Sequence, residues 1–511
     1  MKRILYLLSI LSVTGCSKDF LNKDSLTQIG QATFWKSEQD ALLGINGIYD
    51  VLQDRILYSG NLNGNAGLPM YDNFGDNCYN SYKFEGPGNF MIGNVNPTTS
   101  MFSDLWTSCY KGIARANSAI ENISLIPAAN LSDTKKQALI GQAQFLRALF
   151  YMNLAVYFQD APLILKVQTL DQAYVPKNTY QEIATQIITD LKAAANVLPT
   201  SYSSDQYGYA TKGAALGLLA RFYLYNKDYQ NALDATTSIL TLGYSLNNSY
   251  PDLFTQNGEY SKEILFSVRF VQNASQNGEL FSGTYAALPK VDEQPMPNLV
   301  KDYYCTDGLP ITKSPLYSAA NEKAKRDPRL TATVYFKNDT FLIDTKTIFK
   351  GNTATTYGLR KYLRNGASST GIAVFSPGGQ DFIVLRYADV LLMRAEALVE
   401  LNQLPEVYTL VDQVRSRVNM PKVEAVEGTG LSQDALRQIV RHERRVELAC
   451  EGLRFFDLKR WGLVQQSFQT ALNDKVAGYA PSFAGAKSSV FPIPQSELDA
   501  NSNLVQNPVW Q

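Results

Sequence analysis

Three stretches of the chain place apolar residues every three or four positions. In ALIGQAQFLRALFYMNLAVYF (138–158), Leu139, Ala143, Leu146, Phe150, Leu154 and Tyr157 share one face, which predicts a helix. TKGAALGLLARFYLYNKDYQNALDATTSILTLG (211–243) predicts two helices. Ala215, Leu218, Leu219 and Phe222 line the first, a turn falls near Asn226-Lys227-Asp228, and Ala232, Ala235 and Ile239 continue the pattern. RYADVLLMRAEALVELNQLPEVYTLVDQVRSRV (386–418) repeats this plan with its turn near Asn402 to Pro405. Between the helical parts, residues 57–103 and 244–384 are rich in Gly, Asn, Pro and Tyr and hold no sustained period. EILFSVRF (263–270) and TATVYF (331–336) read as strands. The pattern predicts a mostly α fold with long irregular loops and a few short strands. A helical part spans about 30–243 with a loop insertion at 57–103, an irregular region spans 244–384, and a second helical part spans 385–511.

Each helix pair, with its short turn after Asn or Asp, resembles the tetratricopeptide repeat of about 34 residues. The units are not in tandem, because long irregular segments separate them. A last helix is expected from about Gln433 to Glu451. It carries Arg437, Arg441 and Arg445 in one i, i+4 row and Glu443, Glu447 and Glu451 in another. Like charges at that spacing weaken an isolated helix, so other elements must supply the opposite partners.

Residues 70–90, MYDNFGDNCYNSYKFEGPGNF, pose a different problem. Six rings (Tyr71, Phe74, Tyr79, Tyr82, Phe84 and Phe90) sit among Asn and Asp without helical spacing, and Gly86-Pro87-Gly88 breaks any strand. Loops of this size inside a compact domain are usually functional.

The chain opens with Met1-Lys2-Arg3 and the apolar run ILYLLSILSV (4–13). Ten such residues span only about 15 Å as a helix, which suits a signal peptide and is too short to cross a bilayer. Val13-Thr14-Gly15-Cys16 resembles the lipobox of bacterial lipoproteins, with Val13 where Leu is usual. The resemblance implies removal of residues 1–15 and lipidation of Cys16, and several acyl chains anchor a protein stably without a spanning helix. Ser17-Lys18-Asp19 resembles the surface-export signal of some such lipoproteins.

Lys plus Arg and Asp plus Glu both number 47, so no charge excess favours nucleic acid. The remaining cysteines (78, 109, 305 and 450) contain no CxxC pair and suit buried positions. The single histidine, His442, lies in RHERRVEL, where Val446 occupies the second ligand position of HExxH. Four neighbouring arginines disfavour the imidazolium that a catalytic base must become. No GxSxG, P-loop or complete calcium loop occurs. A glycosidase carboxylate pair has no local mark. The expectation is a protein that is not an enzyme and has no metal or cofactor.

The stretch ERRVELACEGLRFFDLKRWG (443–462) closely resembles the signature of the SusD/RagB family of outer-membrane lipoproteins. QFLRALFYMNLAVYFQDAPL (144–163), RYADVLLMRAEAL (386–398), VFPIPQSELDANSNLVQNPVW (490–510) and the early FWKSEQDALLGINGIYD (34–50) fit that family in order. The resemblance implies one SusD-like unit over residues 16–511, with tetratricopeptide-like pairs as scaffold. It implies a lipid-anchored protein on the outer face of the outer membrane, which caps a SusC-like TonB-dependent transporter and binds a nutrient glycan. A peptide-binding member of the family and a non-catalytic scaffold lipoprotein are the alternatives.

Sugars present apolar C–H faces and hydroxyl rims, so flat rings beside Asn, Asp or Arg match them. The expected contacts are therefore Tyr71, Asp72, Asn73, Phe74, Asp76, Tyr79 and Tyr82, joined by Phe281, Tyr285, Tyr303 and Tyr317 from the second irregular region. No tryptophan lies in either cluster, since Trp35, Trp106, Trp461 and Trp510 fall elsewhere.

Overall fold

A computed structural model describes residues 34–60, 67–80, 86–272, 277–282, 293–340, 348–352, 354–362 and 378–511. In the first half, helices α1 (Glu38–Leu52), α2 (Ser100–Leu125), α3 (Asp133–Phe158), α4 (Tyr180–Val197), α5 (Lys212–Tyr225) and α6 (Tyr229–Ile239) follow in order. In the second lie α7 (Tyr387–Glu400), α8 (Pro405–Arg417), α9 (Gln433–Glu447), α10 (Arg454–Trp461) and α11 (Val464–Asn473). Several start where the sequence offers a cap. Ser37 and Asp40 form a reciprocal box at α1, as do Thr179 and Glu182 at α4, while Thr211, Asp228 and Ser432 cap α5, α6 and α9. The expected turns are present. Lys227 after α5 (φ 58°) and Asn402 after α7 (φ 57°) take the left-handed conformation that reverses the chain.

From α2 to α6 each helix packs on its predecessor, and α1 lies across α2 and α3. Helix α6 then packs directly on α7, which in turn meets α8 and α9. Units far apart in sequence therefore form one continuous array. The intervening insertion leaves the array and returns to it through β2 (Ile264–Val268) and β6 (Phe382–Arg386), an antiparallel pair with Ile264 opposite Arg386. Close approach of α2 and α3 depends on Gly112, where a Cβ would lie 2.3 Å from the Phe150 ring.

Two short ladders complete the insertion. Strand β1 (Cys78–Asn80) pairs with β3 (Glu293–Pro295), and β4 (Val334–Tyr335) pairs with β5 (Gly358–Leu359). The strand expected over 331–336 is thus confined to its second half, Val334–Tyr335. Asp327 caps a short helix, Pro328–Thr333, that takes the residues before it. Helix α9 also stops earlier than expected, at Glu447, because Cys450 (φ 62°) and Gly452 (φ 74°) turn the chain away. A Cβ on Gly452 would lie 2.3 Å from the carbonyl oxygen of Leu68, so this turn fits only glycine.

The charge rows of the signature helix find their partners inside the protein. Glu443 meets Arg329 at 2.6 Å and Arg415 at 2.8 Å. Glu447 meets Arg386 at 2.6 Å, Arg329 at 2.9 Å and also Arg417. Glu451, just past the helix, meets Arg386 at 2.7 Å and Lys361 at 2.8 Å. With Glu263 on Arg386 and Arg417 and Asp327 on Arg329, five carboxylates face five cations. Every side chain in this set is less than a tenth exposed. A second buried set balances Asp389, Glu396 and Asp457 against Arg221, Arg444 and Arg460. Arg437 pairs with Glu400 and Arg445 with Asp302, whereas Arg441 lies over the Trp461 ring at 4.8 Å.

Burial alone would push these carboxyls up, but the facing guanidinium groups win. Asp389, Glu396, Glu443, Glu447 and Glu451 are all held below the usual carboxylate range. Replacing Glu447 with Ala leaves Arg386 and Arg417 short of a counter-charge and should cost about 3–5 kcal/mol in urea unfolding. Glu38→Ala, which removes an exposed partner of Lys135, should cost under about 1 kcal/mol. Equal effects would contradict the contrast. Because these carboxyls are depressed when folded, the unfolded chain binds more protons in acid. The contribution of these carboxyls should be flat near neutrality, begin to fall below about pH 5 and keep falling as the folded groups protonate. Acid unfolding followed by circular dichroism at constant ionic strength measures this, and an unchanged midpoint down to pH 3 would contradict it.

Candidate functional site

The described parts of the aromatic stretch, residues 70–80 and 86–90, fold inward. A 3-10 turn, Leu68–Phe74, precedes β1 and is buried throughout. The Tyr71 ring lies 4.7 Å from Phe74 and 5.0 Å from Tyr157. Phe74 in turn lies 5.0 Å from Phe90, 5.5 Å from Phe455 and 5.8 Å from Phe491. Tyr157, Phe455 and Phe491 belong to three distant motifs of the sequence, so this loop supplies the hub on which those motifs meet. Its acids bind protein groups as well. Asp72 accepts the backbone N–H groups of Cys450 (2.7 Å) and Arg454 (3.1 Å) and the Asn77 amide (2.9 Å). Burial raises Asp72, and those donors offset only part of the shift. Asp76 meets Arg454 at 2.7 Å and Arg445 at 3.4 Å. Burial opposes its ionisation, but the Arg445 and Arg454 charges hold it down to about 2.

Tyr71, Asp72, Asn73, Phe74 and Asp76 are therefore core residues and not the ligand platform expected from sequence. Phe281 and Tyr303 are likewise fully buried, Phe281 between Tyr362 and Phe382. Tyr79 is 4 % exposed and packs edge-on against Tyr479 at 4.7 Å. Of the nominated residues described, Tyr317 alone is half-buried, with Arg326 over its ring at 5.5 Å. Cys16, Tyr82 and Tyr285 lie outside the described residues.

The structure does bring together Asn80 and Glu293, described residues that flank segments 81–85 and 283–292 in the chain. Asn80 pairs with Glu293 at one end of the β1–β3 ladder, so segments 81–85 and 283–292 both leave from that end. Nearby in the chain, Leu280 donates its N–H to Ser59 at 2.7 Å, and Glu279 bridges Gly378. Ser59 and Gly378 are thereby both held to residues 279–280.

Two open clefts, away from most of the nominated residues, set aromatic rings beside polar and charged side chains. One, of about 310 Å³, is lined by Asn46, Gln53, Asp205, Gln206, Tyr207 and Arg269. The Arg269 guanidinium lies 4.8 Å from the Tyr207 ring and 5.1 Å from the 62 % exposed Tyr260 ring, and is tied to Asp381 at 3.1 Å. Burial and the neighbouring Glu259 push Asp381 up to about 7, with Arg269 opposing them. The other cleft, of about 560 Å³, has Trp106, Tyr110 and Tyr174 beside Lys111, Glu497 and Asn501. DQYGYA at 205–210 hints at the first in sequence, but its remaining walls come from distant segments.

Comparison with known proteins decides the family. Residues 262–510 match the SusD family, and residues 19–224 match a family described as starch-binding and associating with the outer membrane. The chain belongs to the SusD/RagB family. SusD-like protein P25 of Formosa agariphila is 26% identical over 537 residues, covering 99% of this chain and 97% of that one. Among solved SusD-like structures, a carbohydrate-binding protein from Bacteroides fragilis is 28% identical with TM-score 0.79, covering 93% of this chain and all of that one. A laminarin-binding SusD-like protein is 27% identical with TM-score 0.72, covering 93% and 99% of the respective chains. The mostly helical architecture with short strands is the SusD-like fold.

The two hub rings should behave differently on truncation. The Tyr71 hydroxyl is buried without a hydrogen-bond partner, so Tyr71→Phe should be neutral or stabilising in urea unfolding. Phe74→Ala should cost about 3–5 kcal/mol through the cavity it leaves. A clear loss of stability with Tyr71→Phe would contradict this assignment.

Proposed function

We propose that this SusD-like protein is a cell-surface lipoprotein that binds a nutrient glycan and passes it to a SusC-like TonB-dependent transporter. The observation that carries the reading is its likeness, over nearly its whole length, to SusD-like proteins named for binding carbohydrate and laminarin. The surface chemistry supports it. Tyrosine rings beside Asn, Gln, Asp and Arg line an open cleft, a combination that suits a ligand with apolar faces and hydroxyl rims. Among the described residues no helix is long and apolar enough to cross a membrane. In this reading attachment falls to lipidated Cys16. The protein binds its glycan without turning it over.

Ligand contacts are assigned to Tyr82 and Tyr285, on segments that leave the β1–β3 ladder, with Tyr317 as a further candidate. The buried residues of the 70–76 loop act by holding that ladder in place. The test is affinity electrophoresis and calorimetry of the chain lacking residues 1–16 against a panel of glycans, with peptides as controls. A glycan should bind, and Tyr82→Ala with Tyr285→Ala should weaken it roughly tenfold or more without moving the melting temperature. A peptide hit with no glycan hit would overturn the glycan reading, and unchanged affinity in the double variant would overturn the assignment of contacts. Cys16→Ala should move the full-length chain from the membrane fraction to the soluble one.

A further inference from the structure

We propose that Cys78 and Cys450 are joined by a disulfide in the exported protein, fastening the ligand-side ladder to the turn that follows the signature helix. The inference rests on the export reading above. The two sulfurs are 3.4 Å apart and fully buried, although 372 positions separate them in sequence. Their meeting is built into the fold. Cys78 opens β1, and Cys450 occupies the left-handed turn after α9. Asp72 stitches the two segments together by accepting the Cys450 N–H at 2.7 Å and the Asn77 amide at 2.9 Å. Sequence spacing gave Cys78 no partner, but in the fold its sulfur faces Cys450.

Thiols held in contact in an oxidising export compartment form disulfides. The step is an exchange with a protein disulfide of the thiol-oxidase class. One thiolate attacks that disulfide, and the second then displaces the oxidase sulfur. A Cys78–Cys450 bond forms, two electrons pass to the oxidase, and its disulfide becomes a dithiol carrying the two protons. Burial pushes the Cys78 thiol well up, with Cys450 beside it adding to the shift, so the folded protein holds little thiolate there. Exchange therefore occurs before β1 closes over the 448–452 turn, and the finished bond is sealed from reductant. Its consequence is mechanical. The strand from which residues 81–85 leave is bolted covalently to the buried ion-pair set.

The Glu293 carboxylate lies with both sulfurs inside 4.8 Å of one another, so a soft divalent cation is the competing occupant. The experiment uses the full chain, expressed with its own leader in a Gram-negative host and extracted in detergent without reductant. Denaturation in N-ethylmaleimide, peptide mapping by mass spectrometry and metal analysis follow. The expected result is a linked Cys78–Cys450 peptide released only by reductant, with Cys109 and Cys305 alkylated. Cys78→Ala should then leave Cys450 alkylated and lower the melting temperature by about 5 °C, with Cys109→Ala as the buried-thiol control that alters no linkage. Alkylation of both Cys78 and Cys450 on a chain whose leader is cleaved overturns the disulfide, whether or not a metal accompanies it. An uncleaved leader overturns the export reading and the disulfide with it.

Discussion

The glutamates at the end of the signature helix are buried and paired with cations from elsewhere in the chain, and much of the remaining structure is arranged to make that possible. A lone carboxylate in such a place would cost several kcal/mol to desolvate. Glu443, Glu447 and Glu451 escape that cost because Arg329, Arg386, Arg415, Arg417 and Lys361 converge on them from the insertion, β6 and α8. An apolar helix can slide or rotate in its groove at modest cost. This one cannot, because any rotation strands buried charges. Charge pairing thus fixes the register of α9 against three regions of the chain at once.

The N-terminal loop is tied to the same centre by two means. Asp76 faces Arg445 and Arg454, and Asp72 accepts backbone donors from the turn that follows α9. Tyr71 and Phe74 then fill the space between Tyr157, Phe455 and Phe491. Tyr71, Phe74, Tyr79 and Phe90 need no long regular element to bury them, because the surrounding motifs supply the apolar walls. The β1–β3 ladder therefore stands on a base that ion pairs and ring contacts hold still.

Much of the scaffold was legible in the sequence. Apolar spacing gave the helix pairs and their turns at 226–228 and 402–405, and the charge rows required partners from elsewhere, which the structure supplies. The ligand platform was misread for a physical reason. A sugar-binding surface and an aromatic hub share one composition, rings beside Asn and Asp, and only the third dimension tells whether the rings face solvent or one another. The clue lay in the motifs, whose own rings at 157, 455 and 491 had no assigned partners. The contact between α6 and α7, the Cys78–Cys450 pair and the tyrosine cleft each join residues far apart in sequence, and no local pattern encodes them.

Loop 68–80 and the signature helix thus form one cooperative unit. Native-state hydrogen exchange across a denaturant series tests it most directly. The protected amides of residues 70–80 and 440–450 should merge onto a single isotherm and exchange only through the same large opening. Exchange of the loop amides through a separate opening, several kcal/mol cheaper than that of α9, would contradict it.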